Sequence, residues 1–190
     1  MEVIDTELSD VKIVVPKRFS DPRGFFSEVY KRGAFASAGI SSDFLQDNHS
    51  LSGPVGTLRG LHFQTPPFAQ AKLVRVLRGS IFDVAVDIRH GSPSFGRFAT
   101  AELSAANGRQ LYVPRGFAHG FVTLEPDTEV LYKVDSYYAP ENDSGIVWND
   151  PDIAIPWPLP EGGPLLSDKD SKLGTLAEMK HVFQYESDAA

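Results

Sequence analysis

The chain has 190 residues, 42% of them apolar, no cysteine, and a formal charge of −7 from 18 basic and 25 acidic side chains. That length suits a single domain with a sizeable core. The acidic balance excludes general nucleic-acid binding, and the missing cysteines exclude disulfides, thiolate metal sites and cysteine nucleophiles. No apolar run approaches the length of a membrane span, and the acidic start "MEVIDTELSD" lacks the basic and apolar regions of a signal peptide. A cytoplasmic protein with neither membrane nor nucleic-acid partners is expected.

Glycine and proline punctuate runs of five to nine residues along the chain, as in an all-β protein. In chain order, strands are expected at 12–15, 25–31, 44–50 and 56–64, with two helical turns at 32–39 ending on Gly39. "KLVRVLRGSIFDVAV" predicts a hairpin turning near Arg78-Gly79-Ser80. Within it "IFDVAVDIR" alternates Phe82, Val84, Val86 and Ile88 with Asp83, Ala85, Asp87 and Arg89. "RFATAELSAANGRQLYV" predicts a second hairpin around Asn107-Gly108. Strands at 118–124 and 128–138 follow. The proline-rich segment 148–164 is expected as a loop packed over the barrel, and 167–180 as a short C-terminal helix. The fold class is all-β, a sandwich, jelly roll or small barrel with few helices, and such barrels can hold a ligand between their sheets.

Polar residues that point inward therefore matter most. Tyr132 shares strand parity with Val130 and Val134, and Lys72 with Val74 and Val76, so both join apolar stripes. Either also fits a structural role, as a core tyrosine or a lysine reaching outward. Gln46 and Asn48 share one face of a strand polar on both sides, which suits an exposed strand or one lining a wet cavity. In "LRGLHFQ" (58–64), His62 and Arg59 fall on opposite faces of a flat strand. If they serve one site, the strand must bulge or twist near Gly60.

The segments "DPRGFF" (21–26), "QDNHS" (46–50), "LRGLHFQ", "AKLVRV" (71–76), "PRGFAHGF" (114–121), "LYKVDSYY" (131–138) and "LSDKD" (166–170) occur in this order. Together they resemble the dTDP-4-dehydrorhamnose 3,5-epimerase family, a branch of the cupin jelly rolls, over roughly residues 1–180. The resemblance implies one cupin-type jelly-roll domain over 1–190, with the segment from about 148 to 185 packing over the barrel. It also implies a homodimer sharing N-terminal strands. Metal-binding cupins offer two closely spaced histidines followed by a glutamate, whereas "GLHFQ" has one histidine. His119 fills the place of the second motif without a third ligand, so a metal-free barrel is expected.

For a nucleotide-linked 4-keto-6-deoxy sugar, the resemblance implies base-catalysed inversion beside the ketone, with no cofactor because no electrons leave the sugar. It assigns His62 as base, Asp170 as the carboxylate orienting it, Lys72 as the cation for the C4 oxygen and Tyr132 as the acid. Arg59 and His119 are implied as diphosphate contacts, and Gln46 and Asn48 as further hydrogen bonds. Tyr138, or its neighbour Tyr137, is implied as the stacking partner of the thymine ring. Lys169 is implied as closing over the ligand, and Arg23, Phe26 and Glu28 as contacts donated by a neighbouring subunit. Asp143 stands where glutamate is usual. The competing readings are a 3- or 5-mono-epimerase, a ketoisomerase, a non-catalytic nucleotide-sugar-binding cupin and a metal-dependent cupin oxygenase.

Overall fold

Two facing antiparallel sheets carry the apolar stripes, and their inner faces enclose both a core and a cavity. The computed structural model describes residues 1–185; the last five residues of the expected domain lie outside them. One sheet has the order β1 (Glu2–Asp5), β2 (Lys12–Val15), β10 (Gln110–Val113), β7 (Lys72–Arg78), β12 (Thr128–Val134), β5 (Gln46–Ser52). The other has the order β13 (Asp143–Gly145), β6 (Leu58–Gln64), β11 (Phe117–Thr123), β8 (Ser80–Asp87), β9 (Phe98–Ser104). A separate hairpin joins β3 (Arg18–Asp21) to β4 (Gly24–Ser27), and α1 spans Arg32–Ser37. From β5 to β12 the chain alternates between the sheets except at β8–β9, which is the habit of a jelly roll.

Both expected hairpins are corrected by this topology. β7 and β8 lie in different sheets, as do β9 and β10, so the turns at Gly79 and Gly108 are corners between sheets. The true neighbour of β8 is β9, paired from Ser80↔Ser104 to Val86↔Phe98. Alternation fixes which side chains share a face but says nothing about which strand lies alongside. The corner at Gly79 also needs glycine: its φ is +76°, and a Cβ there would meet Thr128 Oγ1 at 2.3 Å.

Three layers of packing follow. Val74, Val76, Ile81, Ala85, Leu111, Phe121 and Val130 fill the space between the sheets. The outer face of the six-stranded sheet places Leu73 and Val14 against Phe35 of α1 and Ile40. The outer face of the five-stranded sheet places Val84, Val86 and Ile88 against Ile153, Trp157, Leu176 and Phe183. The loop 148–164 is thus packed over the sheet as expected. Asp150 pins it, its Oδ1 accepting from the Ile153 amide at 3.0 Å and its Oδ2 from the Leu176 amide at 2.7 Å.

The expected helix over 167–180 does not form, apart from one 3₁₀ turn at Asp170–Lys172. The Gly174 carbonyl accepts instead from the Val147 amide at 2.8 Å, and Glu178 caps the Thr175 amide. Contacts to the sheet have overridden a weak helical propensity. The strand expected at 128–138 ends at Val134, and that expected at 25–31 ends at Ser27. Strands β1, β3 and β13 carry no clear signal in the sequence.

The distortion anticipated at Gly60 is present. Between β11 and β6 the register runs His119↔His62 and then Phe121↔Arg59, three steps on β6 against two on β11. This bulge turns Arg59 and His62 to the same side. Gly60 has φ +122°, and a Cβ on it would meet Gly120 Cα at 2.6 Å and the His119 carbonyl at 2.7 Å. Gly60→Ala is therefore expected to destabilise the fold by about 3 kcal/mol, from a forbidden φ and overpacking together. Urea denaturation checks it, and an unchanged midpoint would contradict it.

Candidate active site

The bulge, the parity of β7 and β12, and the 3₁₀ turn at Asp170 converge on one cavity of about 480 Å³. Its lining includes Arg59, His62, Lys72, His119, Tyr132, Lys169 and Asp170. His62 and His119 stand side by side on the inner face of the five-stranded sheet, and Tyr132 and Lys72 enter from the facing sheet. Thus the inward placement read from strand parity holds for both Tyr132 and Lys72.

His62 Nε2 lies 2.6 Å from Asp170 Oδ1. Asp170 is itself 3% exposed, and its other oxygen faces the Gly60 amide at 3.4 Å. Burial pushes the Asp170 carboxyl up, but hydrogen bonds from His62, the Gly60 amide and Ser167 outweigh that and leave it below the usual carboxylate value. An ionised carboxylate on Nε2 keeps the proton there, which makes Nδ1 the basic nitrogen of the ring.

Lys72 is buried, and its Nζ reaches across the sandwich to within 3.4 Å of the His62 carbonyl. Desolvation lowers its pKa to about 8, against the opposing pull of Asp83 and Asp143. Burial raises the Tyr132 phenol above its ordinary value, with Arg59 pulling the other way, so it stays protonated at neutral pH. The Arg59 guanidinium is anchored by Ser52 Oγ at 3.1 Å and the Leu51 carbonyl at 3.3 Å.

A second cluster forms around Lys169 of the lining. The Tyr138 hydroxyl donates to Asp143 Oδ2 at 2.9 Å, and Lys169 forms an ion pair with the same oxygen. Tyr138 lies beyond the end of β12, so strand parity with Tyr132 does not place it; its hydrogen bond does. Tyr137 is exposed, and only its carbonyl is engaged, by Gln64.

Gln46 and Asn48 pair with Val134 and Tyr132 on the same sheet face, and Gln46 Nε2 donates to Asn48 Oδ1 at 2.7 Å. Neither borders the cavity, whereas Ser50 of that strand does. Arg23, Phe26 and Glu28 lie away from it, on or just after the β3–β4 hairpin. His119 Nε2 lies 2.7 Å from Asp83 Oδ1, a pair the sequence reading overlooked. Its signal was the Asp83-Ala85 stripe of β8, which faces the interior while the apolar stripe faces the C-terminal segment. Among the described residues, no three His, Asp or Glu side chains gather to hold a metal ion.

The sequence matches the model of the dTDP-4-dehydrorhamnose 3,5-epimerase family over residues 5–178. It is 51% identical over 178 residues to the dTDP-4-dehydrorhamnose 3,5-epimerase of Sinorhizobium fredii, covering 94% of this chain and 91% of that protein. The enzyme of that name from Escherichia coli K12 is 52% identical over 180 residues, covering 94% and 96%. A dTDP-6-deoxy-D-glucose-3,5-epimerase from Legionella pneumophila, solved with dTDP-4-keto-L-rhamnose, superposes with a TM-score of 0.94 at 43% identity, covering 98% and 99%. A jelly roll with this cavity and these matches over nearly its whole length belongs to the dTDP-4-dehydrorhamnose 3,5-epimerase family.

Proposed function

We propose that this protein inverts C3 and C5 of dTDP-4-dehydro-6-deoxy-D-glucose to give dTDP-4-dehydro-L-rhamnose, without a redox cofactor. One observation carries the mechanism: a carboxylate-paired imidazole and a half-buried phenol face each other from opposite sheets of one cavity, with a buried lysine reaching between the sheets.

Each hydrogen removed lies next to the C4 ketone. His62 Nδ1 takes the proton from carbon, and the electron pair moves to the C4 oxygen as an enolate. The Lys72 ammonium stabilises that oxygen, most effectively in a site poor in water. The Tyr132 hydroxyl then gives a proton to the same carbon from the opposite face, which inverts it. Solvent reprotonates the phenolate and takes the proton from the imidazolium before the second centre reacts. Atoms and electrons balance within the sugar.

Arg59 and Lys169 supply positive charge for the diphosphate, with His119 beside them in the lining, which suits a site that must hold two phosphates inside an acidic protein. Tyr138, aligned by Asp143, stacks on the thymine ring. Arg23, Phe26 and Glu28 act on the cavity of a second copy in a homodimer. In support, the β3–β4 hairpin stands apart from both sheets and exposes Phe19, Phe25 and Phe26, the last at 70%. A cytoplasmic location accords with the absence, among the described residues, of any helix long and apolar enough to cross a membrane.

The test is turnover of dTDP-4-dehydro-6-deoxy-D-glucose in deuterated water, followed by NMR with no added cofactor. Deuterium at both C3 and C5 of an inverted product is expected. Label at one carbon alone would make the protein a mono-epimerase, and binding without label would make it a nucleotide-sugar-binding protein.

A further inference from the structure

We propose that Asp83, buried behind the cavity wall, is the counter-ion of Lys72 and the anchor of His119, and so sets the charge of the first and the orientation of the second. This rests on the reading of Lys72 as the cation facing the enolate oxygen.

Asp83 is 0% exposed and does not border the cavity. Its Oδ1 is taken up by His119 Nε2 at 2.7 Å, whereas its Oδ2 has no hydrogen-bond partner, alone among buried side-chain polar atoms of the described residues. A buried carboxylate with a free oxygen is costly, and an asparagine of the same shape would accept the same bond without burying a charge. What aspartate alone supplies at this position is the charge itself, and a buried charge is sustained by a buried partner.

Lys72 is that partner. It is buried on the facing sheet with its Nζ on the His62 carbonyl, not in direct contact with Asp83, and it feels Asp83 across the cavity wall as the strongest of the anions acting on it. The other charged or titratable groups around Lys72 are Asp143 of β13, which adds to the attraction, and Lys169 of the C-terminal segment, which opposes it. Arg59 and His62 of β6, His119 of β11, Tyr132 of β12 and Asp170 of the C-terminal segment are the other titratable groups lining the cavity with it. Desolvation leaves Lys72 titrating at about 8, close enough to neutrality that losing one anion would discharge a large share of it. His119, by contrast, is pushed towards its neutral form by burial despite the Asp83 bond. The carboxylate therefore fixes that ring's orientation, with Nε2 engaged and Nδ1 left for the cavity side, while its charge serves Lys72.

Asp83→Asn tests this, because it keeps shape and removes only charge. Lys72 ionisation is read directly, without substrate, from the pH dependence of its acetylation by acetic anhydride in competition with a reference amine, quantified by mass spectrometry. Wild-type Lys72 is expected to titrate near pH 8. In the variant it is expected to titrate about one unit lower, with about fivefold faster labelling at pH 7. The alkaline limb of kcat is expected to move by the same amount. Lys72 titrating at the same pH in both proteins would overturn the inference. A shift in labelling with an unmoved kcat limb would uphold the counter-ion and overturn the assigned role of Lys72. If the variant does not fold, the ¹³C carboxyl resonance of Asp83 decides the matter. It is expected to step near pH 8 in the wild type and to lose that step in Lys72→Met, and a flat wild-type trace would overturn the pairing.

Discussion

Replacing His62 by alanine is expected to lower kcat by roughly three to four orders of magnitude, and to abolish deuterium uptake at C3 and C5 together. Both centres lie beside one ketone, and a single imidazole serves them in turn, so no partial activity survives at either carbon. The loss comes from chemistry more than folding. The His62 side chain is 30% exposed and belongs to none of the apolar clusters, so alanine empties cavity space instead of core. One change in stability does follow. The Asp170 carboxyl is held low partly by His62, so its contribution to stability is present above the ordinary carboxylate value and fades as pH falls through the lowered one. Without the imidazole, burial dominates and that contribution shrinks. Urea denaturation at pH 7 should therefore show the variant folded but slightly weaker. Exchange persisting at either carbon with near wild-type kcat would remove His62 from its role.

The elements that strand parity reaches were legible in the sequence. Lys72 and Tyr132 could be turned inward because each sits two residues from a valine on its own strand, and period 2 needs no knowledge of the partner strand. Arg59 and His62 broke that rule, and the break pointed to a bulge because glycine stood between them. What period 2 cannot convey is adjacency. The β7–β8 and β9–β10 segments read as hairpins, since a corner between sheets and a turn within one sheet both need glycine with positive φ between alternating runs. Asp83 was lost for a related reason. In β8 the stripe of Phe82, Val84, Val86 and Ile88 looks like the core face, yet it packs beneath the C-terminal segment, and the stripe with fewer apolar groups faces the cavity side. A strand buried on both faces has two interiors, and composition favours the wrong one here. The pairing of Asp170 with His62 spans 108 residues and came only from family resemblance, as no local pattern encodes so distant a contact.

Tyr132→Phe is expected to separate the two halves of the reaction that His62→Ala removes together. The ring remains between Val74 and Asn48, its register partners on either side, so the sheet and the cavity wall are kept. Only the hydroxyl goes, and with it the proton source opposite the base. Burial holds that phenol protonated across neutral pH, so it enters the reaction as a donor and its loss is not masked by prior ionisation. His62 still forms the enolate in the variant, and Lys72 still stabilises it. The proton can then return only from the imidazole, after exchange with solvent and with retention of configuration. In deuterated water the substrate should gain label at C–H positions beside the ketone while inverted product falls by roughly a hundredfold or more. Loss of exchange and inversion in equal proportion would instead mean that Tyr132 helps form the enolate. That outcome would move it from the acid to the side of Lys72, leaving the face opposite His62 to water.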